Sequence, residues 1–215
     1  MPQNINRLLT RPLTRLLLKT PFSANQVTLL SLVVGLTAGP FFAQQQYALN
    51  LAGALLFQLY YLLDNCDGDV ARLKNQQSSF GGWFDIITDA IVHTWLYLWL
   101  ISWTRNSRPE LTNVALLAMA GIFFSYSLGL LAHFRGFTIA LNPDAWKEST
   151  GPLNLRQWFQ LTLDNENFSL FFCLVILFNL EIPFLFATAI GANLFWIWIL
   201  VTRRKKFFKL RLHLT

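Results

Sequence analysis

Apolar runs and polar breaks alternate along this chain on the scale of a lipid bilayer. Six stretches are dominated by Leu, Ile, Val, Phe, Trp, Tyr and Ala: Val27–Ala43, Tyr47–Leu63, Phe80–Trp103, Thr112–Phe134, Phe168–Leu180 and Phe184–Thr202. A helix needs about 20 such residues to cross the hydrocarbon core. The second stretch gains length by running on past Leu63, and the fifth by starting earlier, near Leu161 or Asp164. A soluble helical core would need a polar outer face on each helix, and Thr94–Trp103 and Ile190–Val201 offer almost none. Ahead of the first run, Asn4–Thr20 places Arg7, Arg11, Arg15 and Lys19 at four-residue steps, with leucines between them. That is the pattern of an amphipathic helix lying in an anionic headgroup layer, interrupted or kinked at Pro12. The expected fold is all-α, a polytopic membrane protein with six transmembrane helices and an N-terminal interfacial helix. Its divisions are residues 1–22, a six-helix bundle over 23–204 and a basic tail over 205–215.

Composition supports the membrane reading and charge orients it. Hydrophobic residues make up 54% of the chain, mean hydropathy is +0.41, and 20 Phe and 8 Trp are present, all outside the soluble range. With six spans, 15 of the 17 Lys and Arg residues fall on the side of the two termini, leaving only Arg105 and Arg108 opposite. The positive-inside rule makes the crowded side cytoplasmic. The Arg203-Arg204-Lys205-Lys206 run reads as a membrane-surface anchor, and no nucleic-acid partner is expected. Cys66 and Cys173 lie apart, one at the cytoplasmic end of a span and one inside an apolar run, so no disulfide is expected. No cleavable signal peptide is expected. The polar stretch 142–167 contains Pro143, Gly151 and Pro152 and reads as broken rather than as one helix.

Chemistry concentrates at the junction of the second and third runs. Five of the eleven acidic residues lie in the 26 residues from Asp64 to Asp89. Carboxylates beside hydrocarbon are costly, which marks the stretch as functional. On helices, Asp64 and Asp67 (i, i+3) share one face, as do Asp85 and Asp89 (i, i+4). Two such pairs facing each other form a pocket of hard oxygen donors suited to Mg²⁺ or Mn²⁺ rather than zinc. Cys66 as a nucleophile is the weaker reading.

The spacing Asp64-x2-Asp67-Gly68-x2-Ala71-Arg72-x8-Gly81-x3-Asp85-x3-Asp89 resembles the motif of the CDP-alcohol phosphotransferases at all eight defined positions. The resemblance implies an integral membrane enzyme that moves a phosphatidyl-type group from a CDP-activated lipid to a small alcohol, releasing CMP. It implies two ions of Mg²⁺ or Mn²⁺ held by Asp64, Asp67, Asp85 and Asp89, with Asp89 as general base. Asp89 also has a physical claim, because a base must reach the acceptor as well as the metals. Gly68, Ala71 and Gly81 are small where a nucleotide must approach helix backbone, and Arg72 suits a phosphate. Asp69, next to the motif, is assigned either to the nucleotide or to a group that supports the ones touching it. Asn25 and Thr28 resemble an Asn-x-x-Thr pattern near the nucleotide, a plain helix cap being the alternative.

His93 extends the Asp85–Asp89 stripe and could tune Asp89 or touch the acceptor, or simply be a satisfied polar residue of the bundle. His133 and Arg135 could hold an anionic acceptor. The cytidylyltransferase domain that some relatives carry is not expected, and the expected assembly is a homodimer in a lipid bilayer. Residues 58–64 and 71–74 look most like the branch using inositol phosphates. Two rival classes are an ion-coupled transporter and a Mg²⁺-dependent intramembrane prenyltransferase. The first would place its acids on broken helices near the midplane, and the second lacks the Gly-x2-Ala-Arg element.

Overall fold

The computed structural model describes residues 5–44, 46–134 and 165–208, and among them every regular element is a helix. The elements are α1 (Ile5–Leu18), α2 (Ala24–Phe42), α3 (Tyr47–Leu73), α4 (Ser79–Ser107), a 3₁₀ turn (Pro109–Leu111), α5 (Thr112–Phe134), α6 (Asn165–Leu177) and α7 (Glu181–Phe208). Each of the six apolar runs becomes one helix, α2 to α7. Among the described residues, four segments are long and apolar enough to cross a membrane: α2, α4, the segment Pro109–Ala132 containing most of α5, and Glu181–Thr202 of α7. In α3 the acidic second half lowers the hydropathy. The 13 residues of α6 span only about 20 Å. Many side chains on the outer faces are large and apolar, such as Leu29, Val33, Leu116, Phe123, Leu194 and Val201. Hydrocarbon is the solvent that suits such a surface.

Local chemistry sets the helix ends. Ser23 caps α2 in a reciprocal box with Gln26: the Ser23 N–H donates to Gln26 Oε1 at 2.9 Å, and Gln26 N–H donates back to Ser23 Oγ at 3.4 Å. The cap is therefore Ser23 rather than Asn25, which leaves the Asn25 side chain free of that task. Ser78 caps α4 by accepting the Gly81 N–H at 3.0 Å. Two helices end on an asparagine in the left-handed region, Asn75 (φ 54°) after α3 and Asn179 (φ 53°) after α6. In each case the next residue donates back into the last turn, Gln76 to the Ala71 carbonyl and Leu180 to that of Val175, both at 2.8 Å. The reversals between α3 and α4, and between α6 and α7, are fixed in this way.

The α3–α4 turn is also tied to the start of α2. Lys74 Nζ donates to the carbonyls of Thr20 (2.8 Å) and Phe22 (2.7 Å), and Gln76 Oε1 accepts the Ala24 N–H at 2.8 Å. Beside it, α1 runs through Pro12 as one helix rather than as two short ones. Its Leu17 packs with Leu63, Cys66 and Val70 of α3, while Leu8, Leu9 and Leu16 stay exposed alongside Arg11 and Arg15. The apolar side of α1 is thus divided between the back of α3 and the exterior.

The core lies where α2, α3, α4 and α6 meet, around Phe57, Tyr60, Val92, Leu96, Phe172 and Val175. A second cluster joins α4, α5 and α7 through Tyr97, Ala115, Ala118, Leu185 and Ala189. Packing between α2 and α4 is unusually close. Pro40 has no N–H to give the Leu36 carbonyl one turn earlier, and Trp95 Nε1 of α4 supplies that bond at 2.9 Å. A Cβ on Gly39 would lie 2.5 Å from Trp99 and 2.9 Å from Trp95, so the indoles can approach only a glycine. Trp95→Phe should keep the ring packing but orphan a carbonyl away from water. Its expected cost is about 1–2 kcal/mol, read as a lower thermal midpoint in lipid nanodiscs; an unchanged midpoint would mean that carbonyl has another partner.

Candidate active site

α2 packs closely on both α3 and α4, while α3 and α4 approach each other less closely. The last three turns of α3 and the first three of α4 face each other across that space, and all four predicted aspartates are there. Carboxylate oxygens of Asp64, Asp67 and Asp85 lie within 4.8 Å of one another. Asp89 stands one turn further along α4, and its charged neighbours include Asp64 and Asp85. Asp67 is buried and the other three are half-buried. At an effective dielectric of about 20, each pair of charges at this 4.8 Å separation repels by roughly 3 kcal/mol. Summed over three pairs, that rivals the whole stability of a typical domain, about 5–15 kcal/mol. The cluster therefore needs positive charge or protons.

A divalent cation fits this donor set. All the ligand atoms are hard carboxylate oxygens, and Asp64 Oδ1 is buried without a hydrogen-bond partner among the described residues. The lone pairs that remain are those a cation would take. The supporting contacts come from neighbouring helices. Thr28 Oγ1 of α2 donates to Asp67 Oδ2. Tyr60 OH, one turn before Asp64 on α3, donates to Asp89 Oδ1.

The small residues of the motif differ in what surrounds them. A Cβ at Gly35 or Gly121 would come within 2.7 Å of a neighbouring helix's side chain, so those glycines permit helix packing. A Cβ at Gly68 would meet only the Arg72 side chain, at 3.5 Å and beyond, so Gly68 borders open space beside the acids. A Cβ at Gly81 would lie 3.2 Å from its own cap, Ser78 Oγ, and 3.4 Å from Asn25 Oδ1, so the starts of α2 and α4 come together there. Ala71 packs against the Leu63–Cys66–Val70 cluster. Arg72 Nη2 pairs with Asp69 Oδ1 at 2.5 Å on an exposed surface, so these two residues sit outside the carboxylate cluster.

His93 is buried, with Nδ1 2.9 Å from the main-chain carbonyl of Asp89 and 3.0 Å from Tyr126 OH of α5. It is a hydrogen-bonded residue of the bundle, placed directly behind Asp89. The side chain of His133 and the whole of Arg135 lie outside the described residues. Sequence reasoning missed Tyr60 and Tyr126. The signal for Tyr60 was its position four residues before Asp64, on the same helix face; Tyr126 had none, since only the fold brings α5 to His93.

A family model described as CDP-alcohol phosphatidyltransferase matches residues 22–202, which include every aspartate of the cluster. Over 147 residues the chain is 33% identical to a "Bifunctional IPC transferase and DIPP synthase" of Thermococcus kodakarensis, covering 68% of this chain and 31% of that protein. A protein of the same description from Archaeoglobus fulgidus is 36% identical over 104 residues, covering 48% of this chain and 20% of that protein. Another from Aquifex aeolicus is 32% identical over 90 residues, covering 42% and 20%. The chain spans a third or less of the length of these relatives.

Proposed function

This chain belongs to the CDP-alcohol phosphatidyltransferase family, and from that premise we propose that it transfers a phosphatidyl-type group from a CDP-activated lipid to the hydroxyl of a small polar alcohol, releasing CMP. The observation that carries the proposal is the three-carboxylate cluster, supported by Thr28 and bordered by the open face of Gly68. An acceptor of the inositol-phosphate type is in keeping with the branch resemblance in α3 and with the IPC transferase description that the relatives share. The test is a panel of labelled acceptors, with inositol phosphate, inositol, glycerol phosphate and serine each offered with a CDP-lipid. Label entering lipid from inositol phosphate supports the acceptor, and label entering only from another alcohol overturns it.

In this reading Asp64, Asp67 and Asp85, joined by Asp89, would hold two Mg²⁺ or Mn²⁺ ions. When bound, the ions neutralise the donor diphosphate and stabilise the departing CMP. The residues themselves do the rest. Gly68 leaves room for the donor against the α3 backbone, and Thr28 fixes the orientation of Asp67. Arg72, exposed and paired with Asp69 at the surface with modest strength, can turn to a phosphate. The acceptor oxygen forms a bond to the phosphorus that bears the lipid, and the bond from that phosphorus to the bridging oxygen of CMP breaks. The acceptor's proton passes to the Asp89 carboxylate. No covalent enzyme intermediate is required.

The protein is an integral membrane protein. Its finer topology in this proposal has α2 to α7 all crossing, α1 at the interface, and both termini with the acid cluster on the cytoplasmic side. The charge asymmetry supports this. A cysteine replacing Lys206 should be labelled by an impermeant thiol reagent only from the cytoplasm, and one replacing Asn106 only from the other side. The reverse pattern would place the cluster away from cytoplasmic donors.

A further inference from the structure

The four aspartates do not share one environment. Asp64, Asp67 and Asp85 form the tight cluster, with Thr28 on Asp67. Asp89 instead has one oxygen, Oδ1, taken by the Tyr60 hydroxyl and its own carbonyl contacted by His93. Tyr60 is only 1% exposed, and its ring is fixed from three sides. Phe57 lies 5.4 Å away between ring centroids and His93 6.2 Å away. From α2, Gly35 comes so close that a Cβ there would lie 3.0 Å from Tyr60 Cδ2. The ring cannot swing, so the hydroxyl points at a set place before any substrate arrives. Tyr126 braces the other side, holding His93 from α5.

From this arrangement we propose that Tyr60 is a positioning residue for Asp89. Its O–H donates to Oδ1, fixes the carboxylate plane and leaves Oδ2 as the oxygen presented to the acceptor hydroxyl. The proposal rests on the reading of Asp89 as the base. Within one motif, cation holding then rests chiefly on Asp64, Asp67 and Asp85, and proton acceptance on the Asp89 carboxylate that Tyr60 orients. A core tyrosine that merely satisfied its hydroxyl on the nearest carboxylate would look the same in shape but not in kinetics. Small displacements of a reacting group can cost about 100-fold in rate.

The experiment compares wild type, Tyr60→Phe and a variant carrying 4-aminophenylalanine at position 60, all in nanodiscs. It measures kcat, the KM for CDP-lipid, Mn²⁺ affinity by electron paramagnetic resonance, and the thermal midpoint. Tyr60→Phe should lower kcat by about 10- to 100-fold with donor KM and Mn²⁺ affinity unchanged. The aminophenyl side chain, which keeps a donor, should restore most of kcat. A Tyr60→Phe enzyme with wild-type kcat overturns the proposal, as does a failure of the aminophenyl variant to recover. A joint loss of kcat, Mn²⁺ binding and folding also overturns it, in favour of a purely structural role. If the wild-type protein binds Mn²⁺ but releases no CMP, the functional reading fails instead, a result distinct from these.

Discussion

Asp67→Asn should reduce CMP release to background, a loss of at least about 10²–10³-fold, while the protein stays folded. The substitution keeps the shape of the side chain and its ability to accept from Thr28 Oγ1. What it removes is one negative charge from a cluster whose three carboxylates lie within 4.8 Å. Asn contributes a neutral oxygen, and a hard divalent ion is held chiefly by ligand charge. Mn²⁺ affinity should fall together with activity. The thermal midpoint should hold or rise, because one repelling charge has gone from a partly buried site. An Asp67→Asn variant with near wild-type turnover would remove the cation cluster from the account. A variant that loses activity but binds Mn²⁺ normally would leave the cluster intact and move Asp67 to another role.

Asp89→Asn should behave differently. With Asp64, Asp67 and Asp85 untouched, CDP-lipid binding should stay within a few-fold of wild type, and the single-turnover rate should fall by ~10²–10⁴-fold, the usual loss when a general base is removed. The Tyr60 hydroxyl can still donate to the Asn carbonyl, so geometry is retained and the basic oxygen is what disappears. Under saturating Mg²⁺, Asp64→Asn should lose donor binding and rate together. If Asp89→Asn binds donor as poorly as Asp64→Asn, Asp89 is chiefly a cation ligand, and the division of labour drawn through Tyr60 falls with it.

The helices were legible because lipid leaves a long signature: six apolar runs became α2 to α7. The meeting of Asp64, Asp67, Asp85 and Asp89 was legible because helical spacing puts each pair on one face. What escaped was whatever depends on contacts between helices. Tyr60 sits in the run Leu59-Tyr60-Tyr61-Leu62, where nothing distinguishes an aromatic that fills the core from one aimed at a carboxylate. Thr28 was placed near the nucleotide, and its observed partner is Asp67. The bond from Trp95 to the Leu36 carbonyl makes up for a proline on a different helix, which no local pattern records. Pro12 was expected to give either two short helices or one kinked helix, and packing chose between them: α1 is a single helix that lies on α3 through Leu17. Gly68 and Gly39 look alike in sequence, but one borders open space and the other sits under two indoles.

The central claim is that the cluster on α3 and α4 carries out a cation-dependent transfer from a CDP-lipid. Its most direct test is CMP release by the purified wild-type protein in nanodiscs, given CDP-lipid and inositol phosphate, with Mg²⁺ and then with chelator. The account predicts stoichiometric CMP and labelled lipid product with Mg²⁺, background release in chelator, and recovery when Mg²⁺ or Mn²⁺ is restored. CMP release that continues unchanged in chelator, or none under any of these conditions, would contradict it.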